Sequence, residues 1–501
     1  MSLINIQNLS FGYDGSAENV FENVDLQIDT SWRLGLTGRN GRGKTTLLKL
    51  LMGEEAYTGS IASSVDFEYF PYTPEGAYLT IDVIDEIAPG AEEWQIRREL
   101  NLLEADDGLM YRPFCSLSDG ERTKALITGM FLRENSFLLI DEPTNHLDTH
   151  AREVLAVYLK KKSGFILVSH DRDFLDACID HILVINKMNI EVQKGNFSSW
   201  NENRENRERF ELAENERLKK EISQLERATK RSATWSNKTE VAKHGTRNSG
   251  LRPDRGYIGH KAAKLMKRAK AMESRIEKDI SEKSALLRNV DEGYALKLTP
   301  LKFRASKLME VNNASLSYDG EVVFKNVSFT IDRGDRIAVC GRNGSGKTSL
   351  IKMLTGELDA QSGTISAASG LKISYVRQSS DDMGGELGDY IGEYQIDEAL
   401  FKAILCKMGF SSELFTRNIA DYSQGEKKKV MLARSLSEKA HLYIWDEPLN
   451  YIDVISRIQI EALLKGSSVT MIFVEHDARF CDRIANKRIN LSDSGGYDRS
   501  R

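Results

Sequence analysis

Short apolar runs, each ending in a polar or glycine-rich turn, recur twice along the chain and predict buried strands of a parallel sheet. Leu3–Leu9, Val24–Ile28 and Arg33–Thr37 are β-rich runs separated by turns. The last feeds a glycine-rich loop, after which Thr45–Met52 reads as a helix. Phe137–Ile140 ends in Asp141-Glu142, and Phe165–Val168 ends in Ser169-His170. From about Leu308 the plan repeats through Ile337–Val339, Leu442–Trp445 and Met471–Val474. Each copy is therefore expected to be an α/β domain whose mostly parallel sheet delivers polar residues at the carboxyl ends of its strands.

Between the copies the period changes. Residues 201–232 contain neither Gly nor Pro and are rich in Glu, Arg, Lys and Leu, which favours helix. Leu218, Ile222 and Leu225 share one face, as do Leu265, Ala269, Met272, Ile276 and Ile280 further on. Gly245, Gly250, Pro253, Gly256 and Gly259 break the pattern between. The expected organisation is a first domain over 1–200, a helical linker over 201–300 and a second domain over 301–501. The linker is read as a long antiparallel helical hairpin with an extended tip loop near 236–260.

Composition adds an asymmetry. The 501 residues are 41% hydrophobic and 29% charged, as in globular proteins, and carry a net charge of −5. Residues 201–290 nevertheless hold 23 Lys and Arg against 14 Asp and Glu, which leaves −14 for the remainder. Within 227–270 only Glu240 and Asp254 oppose 13 basic residues, a pattern suited to a polyanion. The five cysteines show no metal-like spacing and are expected to be reduced and mostly buried. No run of 18 apolar residues occurs, and the N-terminus lacks the basic and apolar regions of a signal peptide. A cytoplasmic protein without a membrane span is expected.

The loops after the strands carry the chemistry. Gly38-Arg39-Asn40-Gly41-Arg42-Gly43-Lys44-Thr45-Thr46 is answered by Gly341-Arg342-Asn343-Gly344-Ser345-Gly346-Lys347-Thr348-Ser349. Strand, glycine loop and helix in this order cradle phosphates with backbone N–H groups and a helix N-terminus. Lys44 and Lys347 are expected to reach the β- and γ-phosphates of ATP, and Thr45 and Thr348 to offer hydroxyls to Mg²⁺. Asp141 and Asp446 suit the surroundings of the metal, while Glu142 and Glu447 are placed to activate water.

With those motifs in place, the chain resembles the ABC ATPases. Leu117-Ser118-Asp119-Gly120-Glu121 and Tyr422-Ser423-Gln424-Gly425-Glu426 are similar to the ABC signature, each 23 residues from serine to Asp141 or Asp446. His170 and His476 match the family's switch histidine, and Tyr13 and Tyr318 its adenine-stacking aromatic. Gln378 matches the glutamine that contacts Mg²⁺ and water, where the first copy has Tyr72. The resemblance implies head-to-tail pairing within one monomer. One site would join Gly38, Asn40, Gly41, Gly43, Lys44, Thr45 and Thr46 to Ser423 and Gly425. The other would join Gly341, Asn343, Gly344, Gly346, Lys347, Thr348 and Ser349 to Ser118 and Gly120. Tyr72, Asp119 and differing D-loop regions (Asn145-His146-Leu147-Asp148 against Asn450-Tyr451-Ile452-Asp453) imply unequal sites.

The twin domains, the Asn-His-Leu-Asp run and the basic linker resemble the translation-associated ABC-F family. Phe70-Pro71, Ala213-Glu214-Asn215-Glu216 and Tyr443–Tyr451 narrow the likeness to the Lsa-type antibiotic-resistance proteins. That resemblance implies a ribosome-associated ATPase whose hairpin enters the tRNA exit site of the bacterial 70S ribosome. It would contact 23S rRNA and P-site tRNA and promote release of lincosamides, streptogramin A and pleuromutilins. Arg247, Arg252 and Arg255 in the loop, with Lys261, Lys264, Lys267, Arg268 and Lys270 on the following helix, are the candidate RNA contacts. Trp235 and Tyr257 could stack on bases or pack within the hairpin. The near-equal segments Tyr72–Ser118 and Gln378–Ser423 leave no room for an extra arm. A housekeeping ABC-F translation factor and the ATPase subunit of a membrane exporter remain open alternatives. Repair-type ABC ATPases are disfavoured because their zinc elements and very long insertions are missing.

Overall fold

The computed structural model describes residues 2–13, 19–74, 79–144, 147–186, 190–241, 267, 298, 300–318, 321–342, 344–491 and 497–498. By packing, the chain divides into one unit of Met1–Trp200 with Ala295–Arg501, and a second of Asn201–Tyr294.

The first unit contains the two copies. In the first, the strands are β1 (Leu3–Phe11), β2 (Phe21–Asp29), β3 (Arg33–Gly38), β4 (Thr58–Ala62), β5 (Asp66–Phe70), β6 (Ser136–Asp141), β7 (Phe165–Val168), β8 (His181–Ile185) and β9 (Ile190–Lys194). Its helices are α1 (Lys44–Met52), α2 (Thr80–Ile87), α3 (Glu93–Leu102), α4 (Asp119–Leu132), α5 (Thr149–Lys160) and α6 (Arg172–Cys178). A six-stranded sheet in the order β5-β6-β7-β3-β8-β9 is parallel except for the β8–β9 pair. A smaller antiparallel sheet, β2-β1-β4, lies beside it. Phe137, Leu139, Ile166 and Leu167 are fully buried, as runs flanked by packing on both faces require.

After the long helix α7 (Phe197–Val241), the second copy repeats this plan. Its strands are β10 (Lys307–Tyr318), β11 (Glu321–Asp332), β12 (Arg336–Cys340), β13 (Ser362–Ala367), β14 (Ile373–Val376), β15 (Leu442–Asp446), β16 (Met471–Val474), β17 (Lys487–Asn490) and β18 (Tyr497–Asp498). Its helices are α8 (Lys347–Thr355), α9 (Leu387–Tyr394), α10 (Glu398–Lys407), α11 (Gln424–Ser437), α12 (Val454–Lys465) and α13 (Ala478–Ile484). The sheet order β14-β15-β16-β12-β17-β18 mirrors the first.

The copies share apolar packing. Val454 of α12 is buried in the core of the first copy, with Ile455 and Ile458 packed against it. Ion pairs continue the contact. Arg172, almost fully buried, bonds Glu461 and lies 3.2 Å from Asp477. Arg479 bonds Asp173, Asp176 at 2.6 Å and the Ser198 hydroxyl at 3.0 Å.

Two expectations need correction. α7 continues through Val241, so residues 236–241 are helical rather than the start of a loop. No Gly or Pro occurs between Phe197 and Gly245, so nothing local ends the helix earlier. The rest of the expected tip and the returning helix, with Arg247, Arg252, Arg255, Tyr257, Lys261, Lys264, Arg268 and Lys270, lie outside the described residues; Lys267 is exposed. Of the five cysteines only Cys178 and Cys481 are buried, while Cys115 and Cys406 are exposed. Cys406 lies on α10, whose inward face is taken by Phe401, Ile404 and Leu405. Among the described residues no helix is long and apolar enough to cross a membrane.

Candidate active sites

Each phosphate loop closes onto its helix through a glycine that no other residue could replace without strain. Gly43 and Gly346 precede α1 and α8 with φ of 90° and 85°. A Cβ on Gly43 would lie 2.6 Å from Val20, and one on Gly346 would lie 2.5 Å from Val323. The lysines that follow fold back over the loops. Lys44 Nζ donates to the Gly38 carbonyl at 3.0 Å and to Asn40 Oδ1 at 3.2 Å. Lys347 Nζ donates to the carbonyls of Gly341 and Arg342, each at 3.0 Å. A triphosphate would supply better acceptors for these ammonium groups than backbone carbonyls do.

Tyr13 and Tyr318 stand half exposed at the loop mouths. Tyr13 shares a hydrogen bond with Thr46 at 2.9 Å, and Tyr318 one with Ser349 at 3.3 Å. Their ring faces can meet a base while the hydroxyls stay tied to the loop helix.

The acidic pairs sit at the ends of β6 and β15. Thr45 lies 3.4 Å from Asp141 Oδ2, and Thr348 lies 3.4 Å from Asp446 Oδ1. Asp446 Oδ2 is buried with no hydrogen-bond partner among the described residues. That free oxygen beside a threonine hydroxyl and Gln378 fits a hard cation such as Mg²⁺. In the first site Asp141 Oδ2 also accepts from Tyr69 at 3.1 Å, which leaves it less available. Burial pushes Asp446 up to about 6, with the neighbouring Glu447 charge adding to it.

Glu142 and Glu447 both adopt left-handed backbone, with φ of 50° and 45°. Non-glycine residues held there carry about 1–3 kcal/mol of strain, sustained by the surrounding structure. Each lies 3.4 Å from its histidine, His170 or His476. Beyond that the two sites diverge. Glu447 Oε2 accepts from Gln378 at 2.9 Å and from Asn450 at 2.7 Å. Burial works against charge on Glu447, but His476, Gln378 and Asn450 outweigh it and hold the carboxyl at about 2. Glu142 Oε1 has no hydrogen-bond partner among the described residues. Burial, reinforced by Asp141, pushes Glu142 up to about 8. Burial, together with the Lys44 and Arg457 charges, also drives His170 well below its ordinary value. Tyr72, which stands where Gln378 does, donates its hydroxyl to Glu86.

The signature residues cap helices. Ser118 and Ser423 accept from the amides of Glu121 and Glu426, whose carboxylates bond back to the serines. Asp148 and Asp453 cap α5 and α12, and Asp171 and Asp477 cap α6 and α13. Each cap is worth about 1 kcal/mol.

The copies meet head to tail at these caps. A cleft of about 800 Å³ is lined by Ser118, Gly120, Gly344, Gly346, Lys347, Thr348, Ser349, Gln378, Glu447 and His476. The other phosphate loop opens into about 900 Å³, with Tyr13, Lys44, Asp141 and Tyr72 in its wall. A further 350 Å³ lies between Asn40, Gly41, Glu142 and His170 on one side and Ser423 and Gly425 on the other. Gly425 comes so close that a Cβ there would sit 2.7 Å from the Tyr451 carbonyl and 2.8 Å from Asn40 Nδ2. Asn343 and the D-loop residues Asn145 and His146 lie outside the described residues.

Several residues of these sites escaped the sequence reading. Arg152 bridges Asp171 at 3.4 Å and reaches the His476 carbonyl at 3.5 Å, so the two histidine loops share a contact. Arg457, its counterpart four residues after Asp453, lies 3.3 Å from Asp477. Their recurrence at matched spacing was the available signal. Asp453 repeats Asp148 and Tyr69 repeats Tyr375 at matched spacing too, whereas Lys428, opposite Thr123 in the first copy, carried no such signal. Three further histidines have local partners: His181 bonds Asp180 and stacks on Trp32, His441 accepts from the Lys372 amide, and His150 bonds Glu104.

Comparison with known proteins agrees with this geometry. Residues 21–145 and 324–450 match the family described as ABC transporter. The chain is 28% identical over 501 residues to the ribosome protection protein VmlR of Bacillus subtilis, covering 98% of this chain and 87% of that one. It is 29% identical over 500 residues to the ATP-binding protein Uup of Caulobacter vibrioides, covering 96% and 76%. Among solved structures it superposes on the archaeal ribosome recycling factor aABCE1, crystallised with the stalk protein aP1. The TM-score is 0.61 at 19% identity, over 96% of this chain and 87% of that one. Two complete phosphate-loop domains paired across their signatures make the chain an ATPase: it belongs to the ABC transporter family, as a chain that carries two of that family's domains.

Proposed function

We propose that this chain is an ATP-driven ribosome protection protein. ATP draws the two domains together across Ser118 and Ser423, and the linker then engages the tRNA exit site of the bacterial ribosome. Its basic segment 227–270 meets 23S rRNA and P-site tRNA and favours release of lincosamide, streptogramin A or pleuromutilin drugs. The observation that carries this reading is the head-to-tail cleft joining Lys347 and Glu447 to Ser118 and Gly120, in a chain whose linker concentrates positive charge. Similarity to VmlR over nearly the whole length supports the choice of ribosome over membrane.

At each site Lys44 or Lys347 binds the phosphates, and Tyr13 or Tyr318 orients the base. Glu142 or Glu447 accepts a proton from the attacking water. Mg²⁺ would be held by Thr45 and Asp141, or by Thr348, Asp446 and Gln378, and would neutralise charge on the β- and γ-phosphates.

The test measures release of a labelled lincosamide or pleuromutilin from ribosomes carrying P-site tRNA. Acceleration by this protein and ATP, lost when 246–256 is shortened, is the expected result. Glu142→Gln with Glu447→Gln should bind ATP and remain on the ribosome; dissociation as fast as wild type would overturn the cycle. Ribosome binding without drug release favours a general translation factor. No ribosome binding returns the exporter reading.

A further inference from the structure

Two consecutive lysines on α11 serve opposite ATP sites. Lys428 and Lys429 are 1% and 2% exposed. Adjacent helical positions project about 100° apart, so the two side chains meet different neighbours. Lys429 turns to the domain interface, with Nζ 2.9 Å from Asp453 Oδ2. The same oxygen accepts from the Asn40 amide at 3.3 Å, in the first phosphate loop. Lys428 turns into its own domain and donates to the carbonyls of Arg377 at 2.8 Å and Glu447 at 3.3 Å.

Those carbonyls bracket the water-orienting pair of the second site. Arg377 precedes Gln378, whose amide holds the Glu447 carboxylate. Glu447 itself sits in left-handed backbone that its surroundings must maintain. Charge-assisted bonds from a buried ammonium are strong enough to help do so. The first domain uses the corresponding residues differently. Thr123 donates to the Asp119 carbonyl one turn back in its own helix, and Lys124 to the Glu104 carbonyl.

We propose that Lys428 is a positioning residue for hydrolysis at the second site, and that through α11 it couples Glu447 to closure of Ser423 and Gly425 over the first site. The mirror-image coupling, between Glu142 and closure over the second site, has no counterpart of Lys428, because Thr123 and Lys124 are committed to the Asp119 and Glu104 carbonyls. The Lys428 coupling rests on the ATPase activity of the composite sites and is independent of any ribosomal role.

Single-site backgrounds test it. Glu142→Gln leaves the second site competent, and Glu447→Gln leaves the first. In the Glu142→Gln background, Lys428→Thr is expected to lower kcat roughly tenfold or more while KM moves less than about threefold. In the Glu447→Gln background kcat should change by less than about twofold. Lys428→Met keeps the chain length in an apolar setting and should reproduce the split if the threonine variant unfolds. Equal losses in both backgrounds, a rise in KM alone, or no change would each overturn the positioning role. For the coupling, Asn40→Ala should slow the second site when Lys428 is present and add nothing when it is Met. Additive losses would overturn it.

Discussion

Asn40 in the first phosphate loop donates its side-chain amide to the carbonyl of Tyr451 in the second domain, across 2.8 Å. Its backbone amide reaches Asp453 in the same segment. The residue that shapes one ATP site therefore also reads the position of the opposite domain. Asn40→Ala should cost closure about 1 kcal/mol, raising the ATP concentration for half-closure about fivefold. Labels placed on the two domains would report this distance change; an unmoved midpoint would assign the contact no role in closure.

Arg172 is buried between Glu461 and Asp477. Removing it leaves buried carboxylates short of a partner, although Arg483 still bonds Glu461 at 3.0 Å. Arg172→Ala is expected to destabilise the folded chain by about 3 kcal/mol. Denaturant unfolding would show a lower midpoint, and a loss below about 0.5 kcal/mol would mean that the interface relaxes around the gap.

The divergence of Tyr72 and Gln378 predicts unequal turnover. Tyr72 is tied to Glu86, whereas Gln378 steadies Glu447. Tyr72→Gln in the Glu447→Gln background should raise first-site kcat about fivefold, the worth of one hydrogen bond. Gln378→Tyr in the Glu142→Gln background should lower second-site kcat by a similar factor. Identical responses at both sites would remove this explanation of the asymmetry.

Glu99 offers a stability test. Burial opposes its ionisation, but hydrogen bonds from Lys162, Tyr158 and Arg98 outweigh that and hold its pKa below the ordinary value. A lowered folded-state pKa contributes stability above the unfolded value, near 4.3, and loses it as pH falls through the folded one. Glu99→Gln should therefore be about 2 kcal/mol less stable at neutral pH. The gap should narrow as the pH drops below about 4. Thermal unfolding of both proteins between neutral and acid pH checks this, and a constant gap would contradict it.

Both phosphate loops, the acidic pairs and the signature serines were legible because each depends on local chemistry. A glycine must reach positive φ, an apolar run must end where an acid is needed, and a serine must cap a helix. Repetition of the whole order at matched spacing made the pattern specific. The linker was less legible: α7 runs past the expected break, because only Gly245 and later residues carry breaking signals.

Order along the chain thus determined two α/β domains, their nucleotide chemistry and the charge of the linker between them. Tertiary structure alone decided which side chains answer one another across the domain boundary. Asn40 meets Tyr451 and Arg172 meets Asp477, and within the second domain Lys428 and Lys429 part towards different sites. Each of these pairings depends on sheet packing and helix phase rather than on neighbouring residue types. Burial opposes charge on both Glu142 and Glu447, and their neighbours set them apart: Asp141 reinforces the rise at Glu142, whereas His476, Gln378 and Asn450 overcome it at Glu447.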